Sequence, residues 1–158
     1  MDLLALFTWF ENTRLGQVIR DSTWAFAAIE VVHLLGLTVL LGTVTVVNLR
    51  LAGVGLRNQR ASEVAADAMP WTYGGMVATI ASGFALFTSE ALKCYDSPPF
   101  YLKMGLLVVS LAFTFSIQRR VANGSAPEFS SGVGKVLASM TIALWFGVGL
   151  AGRAIAFY

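Results

Sequence analysis

Residues Trp24 to Val47, WAFAAIEVVHLLGLTVLLGTVTVV, decide the fold. Only Glu30 and His33 in this run can carry a charge, and a helix of this length crosses the ~30 Å hydrocarbon core of a bilayer. The run therefore reads as a transmembrane helix. Glu30 and His33, the single histidine of the chain, stand three apart on one helical face. At about 1.5 Å per residue they lie ~10 to 15 Å below the membrane surface. Ionisable groups at that depth are costly, which marks the pair as a candidate site.

The rest of the chain shares this character. Its 158 residues are 56% hydrophobic and 13% charged, with a mean hydropathy of +0.70. That is too apolar for a soluble domain and implies one integral membrane domain, with the lipid bilayer as partner. The net charge is +2, and no basic run is interleaved with aromatics, so nucleic-acid binding is set aside.

Upstream of the first span, residues 3 to 10 are Leu, Ala, Phe and Trp around one Thr, too short to cross and suited to a short interfacial helix. Leu15 to Arg20 reads as one or two further helical turns, and Asp21, Ser22 and Thr23 offer caps for the span. Asp2 stands where a signal peptide carries positive charge, and no small-residue cleavage site follows, so insertion without cleavage is expected.

Downstream, Asn48 to Asp67 is a polar connection, helical through Ala61 to Ala68. Pro70 and Trp71 open a second span reaching Ala91, with Gly74, Ala78 and Ser82 as a close-approach face. Lys93 to Pro99 forms a tight loop, and a third span runs from Phe100 to Ile117, closed by Gln118, Arg119 and Arg120. Asn123 to Gly134 reads as a loop. A fourth span, Val136 to Phe157, repeats small residues at Ser139, Ala143, Gly147 and Ala151. The fold expected is an all-α, four-helix membrane bundle with spans at 23–47, 70–91, 100–118 and 136–157. Arg50, Arg57, Arg60, Arg119, Arg120 and Lys135 share one side; Arg14, Arg20, Lys93, Lys103 and Arg153 share the side of both termini. The six lie in two loops, which places that side in the cytoplasm and both termini outside a bacterial inner membrane.

Three readings of the Glu30–His33 pair stand side by side. One is structural: His33 is a hydrogen-bonded core group, and Glu30 pairs with Arg153, which shares its leaflet. A second is an axial ligand for b-type haem, with Glu30 or a carbonyl orienting the second ring nitrogen and Gly36 leaving room for a flat macrocycle in the bundle. Arg153, Arg20, Lys93 and Lys103 then face the propionates. The third is a relay or binding site in a channel or transporter for protons, ions or a small solute. An accessory subunit of a larger membrane complex is a further possibility.

For the haem reading a second axial ligand is lacking. Met76 and Met140 lie in the opposite leaflet and Met104 is too shallow, so the iron is five-coordinate or meets a second His33 in a homo-oligomer. Glu30-x-x-His33 is also half of a di-iron motif that one chain cannot complete. Motifs of NTPases, zinc proteases and serine hydrolases are absent. The single Cys94 excludes an intrachain disulfide and reads as incidental. Trp9, Trp24, Trp71 and Tyr158 read as interfacial anchors and Trp145 as packing.

Ser22-Thr23-Trp24, the block Ile29-Glu30-Val31-Val32-His33-Leu34-Leu35-Gly36 and Asn48-Leu49-Arg50-Leu51 resemble a family of small bacterial four-span membrane proteins of unknown function. That family is similar to four-helix membrane b-type cytochromes and copper-resistance membrane proteins. The resemblance implies a haem or metal site with its ligand at His33. Those cytochromes hold haem between paired histidines, and one histidine cannot make such a pair within a protomer. The expectation carried forward is a homo-oligomer binding haem b through His33, with a redox or electron-transfer role and a redox partner.

Overall fold

Two short helices, α1 (Leu3–Glu11) and α2 (Arg14–Asp21), precede the first long one, α3 (Ala25–Leu51), in a computed structural model that describes residues 2–123 and 131–157. The short helices are set by local caps. Thr13 Oγ1 accepts from the Gly16 amide at 3.2 Å to start α2, and Ser22 Oγ accepts from the Ala25 amide at 3.2 Å to start α3. α3 outlasts the expected end at Val47 by one turn. The buried Asn48 keeps its side chain inside the helix by donating to the Val44 carbonyl at 2.9 Å.

The connection that follows is short. Gly53, at φ +72°, supplies the left-handed residue that ends α3, and the Arg50 and Arg57 side chains bond the carbonyls of Gln59 and Gly53. α4 (Ala61–Ser89) then begins with the Glu63 carboxylate accepting from the Arg60 amide. Pro70 lies inside this helix and does not open it. The residue sits on the exposed side of α4, as does Ala66, whose carbonyl loses its partner, so no core group is orphaned.

The expected tight loop after α4 contains a further turn of helix, α5 (Ala91–Tyr95). Next come α6 (Pro98–Ala122) and α7 (Ser131–Ala154), and a 3₁₀ turn at Ile155–Phe157 closes the described chain. Of the loop expected at Asn123 to Gly134, residues 124–130 lie outside the described residues, and Ser131 already belongs to α7. Tyr158 also lies outside them. Every described element is helical, as expected.

The long helices form a four-helix bundle in which α3 packs on α4 and α7, and α6 packs on α4 and α7. α3 and α4 make the closest pair. A Cβ at Gly75 would lie 2.7 Å from the Leu40 nitrogen, and one at Gly36 would lie 2.8 Å from Thr79 Oγ1, so the two backbones touch. The close-approach face of α4 therefore runs through Thr72, Gly75, Thr79 and Ser82, with Ala78 beside it against Gly36; of the expected Gly74, Ala78 and Ser82, only Gly74 lies off the contact, its place taken by Gly75. On α7 the inward face is Ala138, Thr141, Trp145, Val148 and Ala151, whereas Ser139 and Ala143 face outward. Trp145 packs inside as expected, its indole donating to Thr114 Oγ1 at 3.0 Å.

Polar side chains share the interior with three apolar clusters, while many large apolar side chains lie outside. Asn48, Thr72, Ser82, Ser110, Thr114, Gln118 and Thr141 are buried, while Leu34, Leu35, Val77, Ile80, Leu102, Val108, Phe146 and Leu150 are exposed. Among the described residues, three helical stretches are long and apolar enough to cross a membrane: Ala25–Leu51, Pro98–Ala122 and Gly132–Phe157. α4 is as long, but its Thr, Ser and Gly residues keep it below that apolarity. At the end near the N-terminus, α1 packs on α5. Phe7, buried, meets the rings of Phe87 and Tyr95 edge-on at 5.4 and 5.5 Å, while Trp9 stays exposed.

Candidate functional site

His33 lies on α3 about two turns from its start, and its ring is turned onto α4. Nδ1 lies 3.0 Å from the Thr79 carbonyl oxygen and 3.1 Å from Ser82 Oγ. A carbonyl only accepts, so Nδ1 carries the hydrogen, and in the neutral imidazole Nε2 keeps its lone pair. Ser82 Oγ in turn donates to the Ala78 carbonyl at 2.5 Å, which fixes its lone pairs toward the ring. Nε2 has no hydrogen-bond partner among the described residues.

The ring fits because α4 is small where they meet. A Cβ at Gly83 would stand 3.0 Å from His33 Cε1 and 3.3 Å from Nδ1. Thr79, Ser82 and Gly83 are the site residues that sequence reasoning missed. The signal was depth: they lie about two turns from the end of α4, level with a histidine about two turns into its antiparallel neighbour.

The other candidates are distributed unequally. Gly36 is buried against Thr79 and Ala78, so the room expected there for a macrocycle is taken by α4. Glu30 and Arg153 are both exposed and form no ion pair; the Arg153 guanidinium sits over the Phe157 ring, 5.5 Å from its centroid. Arg20 is engaged by Glu11 at 3.1 Å, the one ion pair among the described residues. The second oxygen of Glu11 accepts from the Leu92 amide at 2.5 Å and caps α5. The expected Glu30–Arg153 pair is thus replaced by Glu11–Arg20.

Lys103 is the cation that faces the bundle. It is half-buried, with its stem against Gly152 of α7. Cys94, on α5 and outside the three apolar stretches, is buried beneath the aromatic cluster. Burial, with the Glu90 carboxylate adding to it, pushes its thiol up to about 11. Met104 is partly exposed on α6. No group of three or more His, Cys, Asp or Glu side chains able to hold a metal ion exists among the described residues. Any metal held at His33 must therefore bring most of its own ligands, as an iron porphyrin does.

No curated protein and no solved structure matches the chain. The model of one family matches residues 6–158, nearly the full length. The chain therefore belongs to DUF6644, a family of unknown function.

Proposed function

We propose that the chain is a four-span integral membrane protein that binds b-type haem through His33 and takes part in electron transfer. The observation that carries the proposal is the His33 ring itself. Its Nδ1–H is held by a backbone carbonyl and a serine hydroxyl while Nε2 keeps a bare lone pair, the arrangement that second-shell groups give to ligating histidines. The many exposed large apolar side chains and the three apolar helices support insertion. α4 counts as the fourth span because it lies against α3 along its length, with its Thr, Gly and Ser turned to that helix.

The free Nε2 of His33 is a donor that haem b would accept, and Gly36, closed by Thr79 and Ala78, would take no part in holding it. The group supplies one-electron chemistry at its iron. The chain's residues do the rest: Thr79 and Ser82 fix the tautomer and orientation of the ring, Gly83 leaves it space, and the apolar exterior excludes water. His33 of one protomer would hold the group through its free Nε2. Gly42, Gly74 and Gly149 have no neighbours within 4 Å and suit close approach by a second copy in a homo-oligomer. The basic end, with Arg50, Arg57, Arg60, Arg119, Arg120 and Lys135, belongs in the cytoplasm by the positive-inside rule, with both termini outside.

The test is a visible spectrum of detergent-purified protein, oxidised and reduced. A Soret band that shifts on reduction, is lost in His33→Ala and returns with added imidazole is expected. Colourless wild-type protein without bound iron, after expression with haem supplied, overturns the proposal.

A further inference from the structure

Arg119 lies three residues before the end of α6, at the basic end of the bundle, yet its side chain is folded onto α4. Its Nε and Nη2 both donate to the Tyr73 hydroxyl oxygen, at 3.1 and 2.9 Å. The Tyr73 ring in turn stacks on Phe115, one turn nearer the middle of α6, with 5.1 Å between centroids and 20° between planes. An arginine near a helix end ordinarily extends into water. This one is tied to the neighbouring helix, and no carboxylate meets it: the one ion pair among the described residues is Arg20–Glu11.

The bonding leaves a set of donors open. The Tyr73 oxygen accepts twice from the guanidinium, so its own O–H hydrogen points elsewhere, and it has no acceptor among the described residues. The guanidinium keeps its Nη1 hydrogens and one on Nη2 in the same state. A phenol O–H and a guanidinium fork, held side by side at the surface, suit an anion with several oxygens, and phosphate is the anion whose geometry the fork matches. Depth selects its source. Trp71, two residues before Tyr73, is exposed on α4 as an interfacial anchor is, so the pair stands at headgroup level when α4 spans the bilayer.

We infer that Tyr73 and Arg119 bind the phosphodiester of an anionic phospholipid, beside the contact of α4 with α6. The inference rests on the reading of α4 as the fourth span and is independent of haem. The stack of Tyr73 on Phe115 fixes the hydroxyl that holds the arginine, and the other arginines of that end add an attractive field. Free inorganic phosphate offers the same oxygens without acyl chains and is separated by experiment.

Detergent-purified protein is titrated with phosphatidylglycerol and with phosphatidylcholine, and bound lipid is counted by native mass spectrometry. Wild type is expected to bind phosphatidylglycerol about tenfold tighter, the effect of one charge-assisted contact. Arg119→Gln removes that preference. Tyr73→Phe, which keeps the stack on Phe115, weakens phosphatidylglycerol binding about fivefold, as loss of one hydrogen bond does. Arg120→Gln removes the adjacent charge and leaves the preference unchanged. Equal affinity for both lipids in wild type, wild-type behaviour of Arg119→Gln or Tyr73→Phe, or as large a loss in Arg120→Gln as in Arg119→Gln overturns the inference. Displacement of phosphatidylglycerol by inorganic phosphate at equal concentration assigns the site to a free anion and also overturns it. Wild-type protein that leaves the membrane in alkaline carbonate without detergent sinks the span reading and this inference together; protein that stays there and binds both lipids alike sinks this one alone.

Discussion

Gly75 of α4 meets the backbone of Leu40 in α3 so closely that a methyl group there would lie 2.7 Å from the Leu40 nitrogen and 3.0 Å from the Gly36 carbonyl oxygen. Neither atom can move without moving a helix. Gly75→Ala is therefore expected to cost about 1–3 kcal/mol, as overpacking of close-packed interiors does. Gly74→Ala next to it, where nothing lies within 4 Å, is expected to change stability by less than about 0.5 kcal/mol. Unfolding of the two variants in the same detergent compares them, and equal loss at both positions would refute the close crossing.

Gly83 tests the ring's seat. A Cβ there would come within 3.0 Å of His33 Cε1, so Gly83→Ala should push the imidazole off the Thr79 carbonyl. Loss of one charge-neutral hydrogen bond, about 1 kcal/mol, corresponds to roughly fivefold weaker ligand affinity. Ser82→Ala removes only the second acceptor and is expected to have the smaller effect. The readout is the Soret titration, and an unchanged midpoint for Gly83→Ala would count against the seat.

Glu11 caps α5 with one oxygen and pairs Arg20 with the other. Glu11→Ala should destabilise the α1–α2–α5 end by about 1–2 kcal/mol, chiefly through the lost cap. Arg20→Ala should cost less than about 1 kcal/mol, because that pair is partly exposed. Hydrogen exchange localised to residues 3–21 and 91–95 would show the difference, and identical protection in Glu11→Ala and wild type would contradict it.

Cys94 gives the pH dependence. Its thiol is pushed up to about 11 from an ordinary 9.0. A raised folded-state value means that the thiol's contribution to stability is fully present below about 9 and lost as pH rises towards 11. Maleimide at pH 8 should accordingly label native protein far more slowly than protein unfolded in denaturant. Equal rates in the two states would show that the thiol is neither buried nor shifted.

How much of this was legible beforehand follows from what each residue type can signal. The helices and their order were readable, because apolar runs of twenty residues have one solution in lipid. The faces were not. A helix that is apolar all round has no polar stripe to fix its rotation, so on α4 the glycine of the contact was taken as Gly74 in place of Gly75, although Ala78 and Ser82 do face α3. Pro70 was taken as a start because proline favours first turns; its position on an exposed face lets α4 run through it.

His33 announced itself as the one imidazole in an apolar run, and Lys103 as a charge early in a span. Their partners could not be read. Thr79 holds His33 through a backbone carbonyl, which every residue possesses and no side chain advertises. Glu30 and Arg153 were matched by leaflet alone, yet each faces outward. Depth is a single coordinate, and two residues at one depth can lie on opposite sides of a bundle.

The backbone contact between α3 and α4 has a mechanical consequence. With Gly36 seated on Thr79 and Gly75 on Leu40, those two helices form one stiff plate, and His33 is bolted across it to the carbonyl of the facing strut. Any rearrangement of the bundle would leave that pair moving as one body, whereas the Lys103 stem rests on Gly152 of α7 only through the end of a flexible side chain.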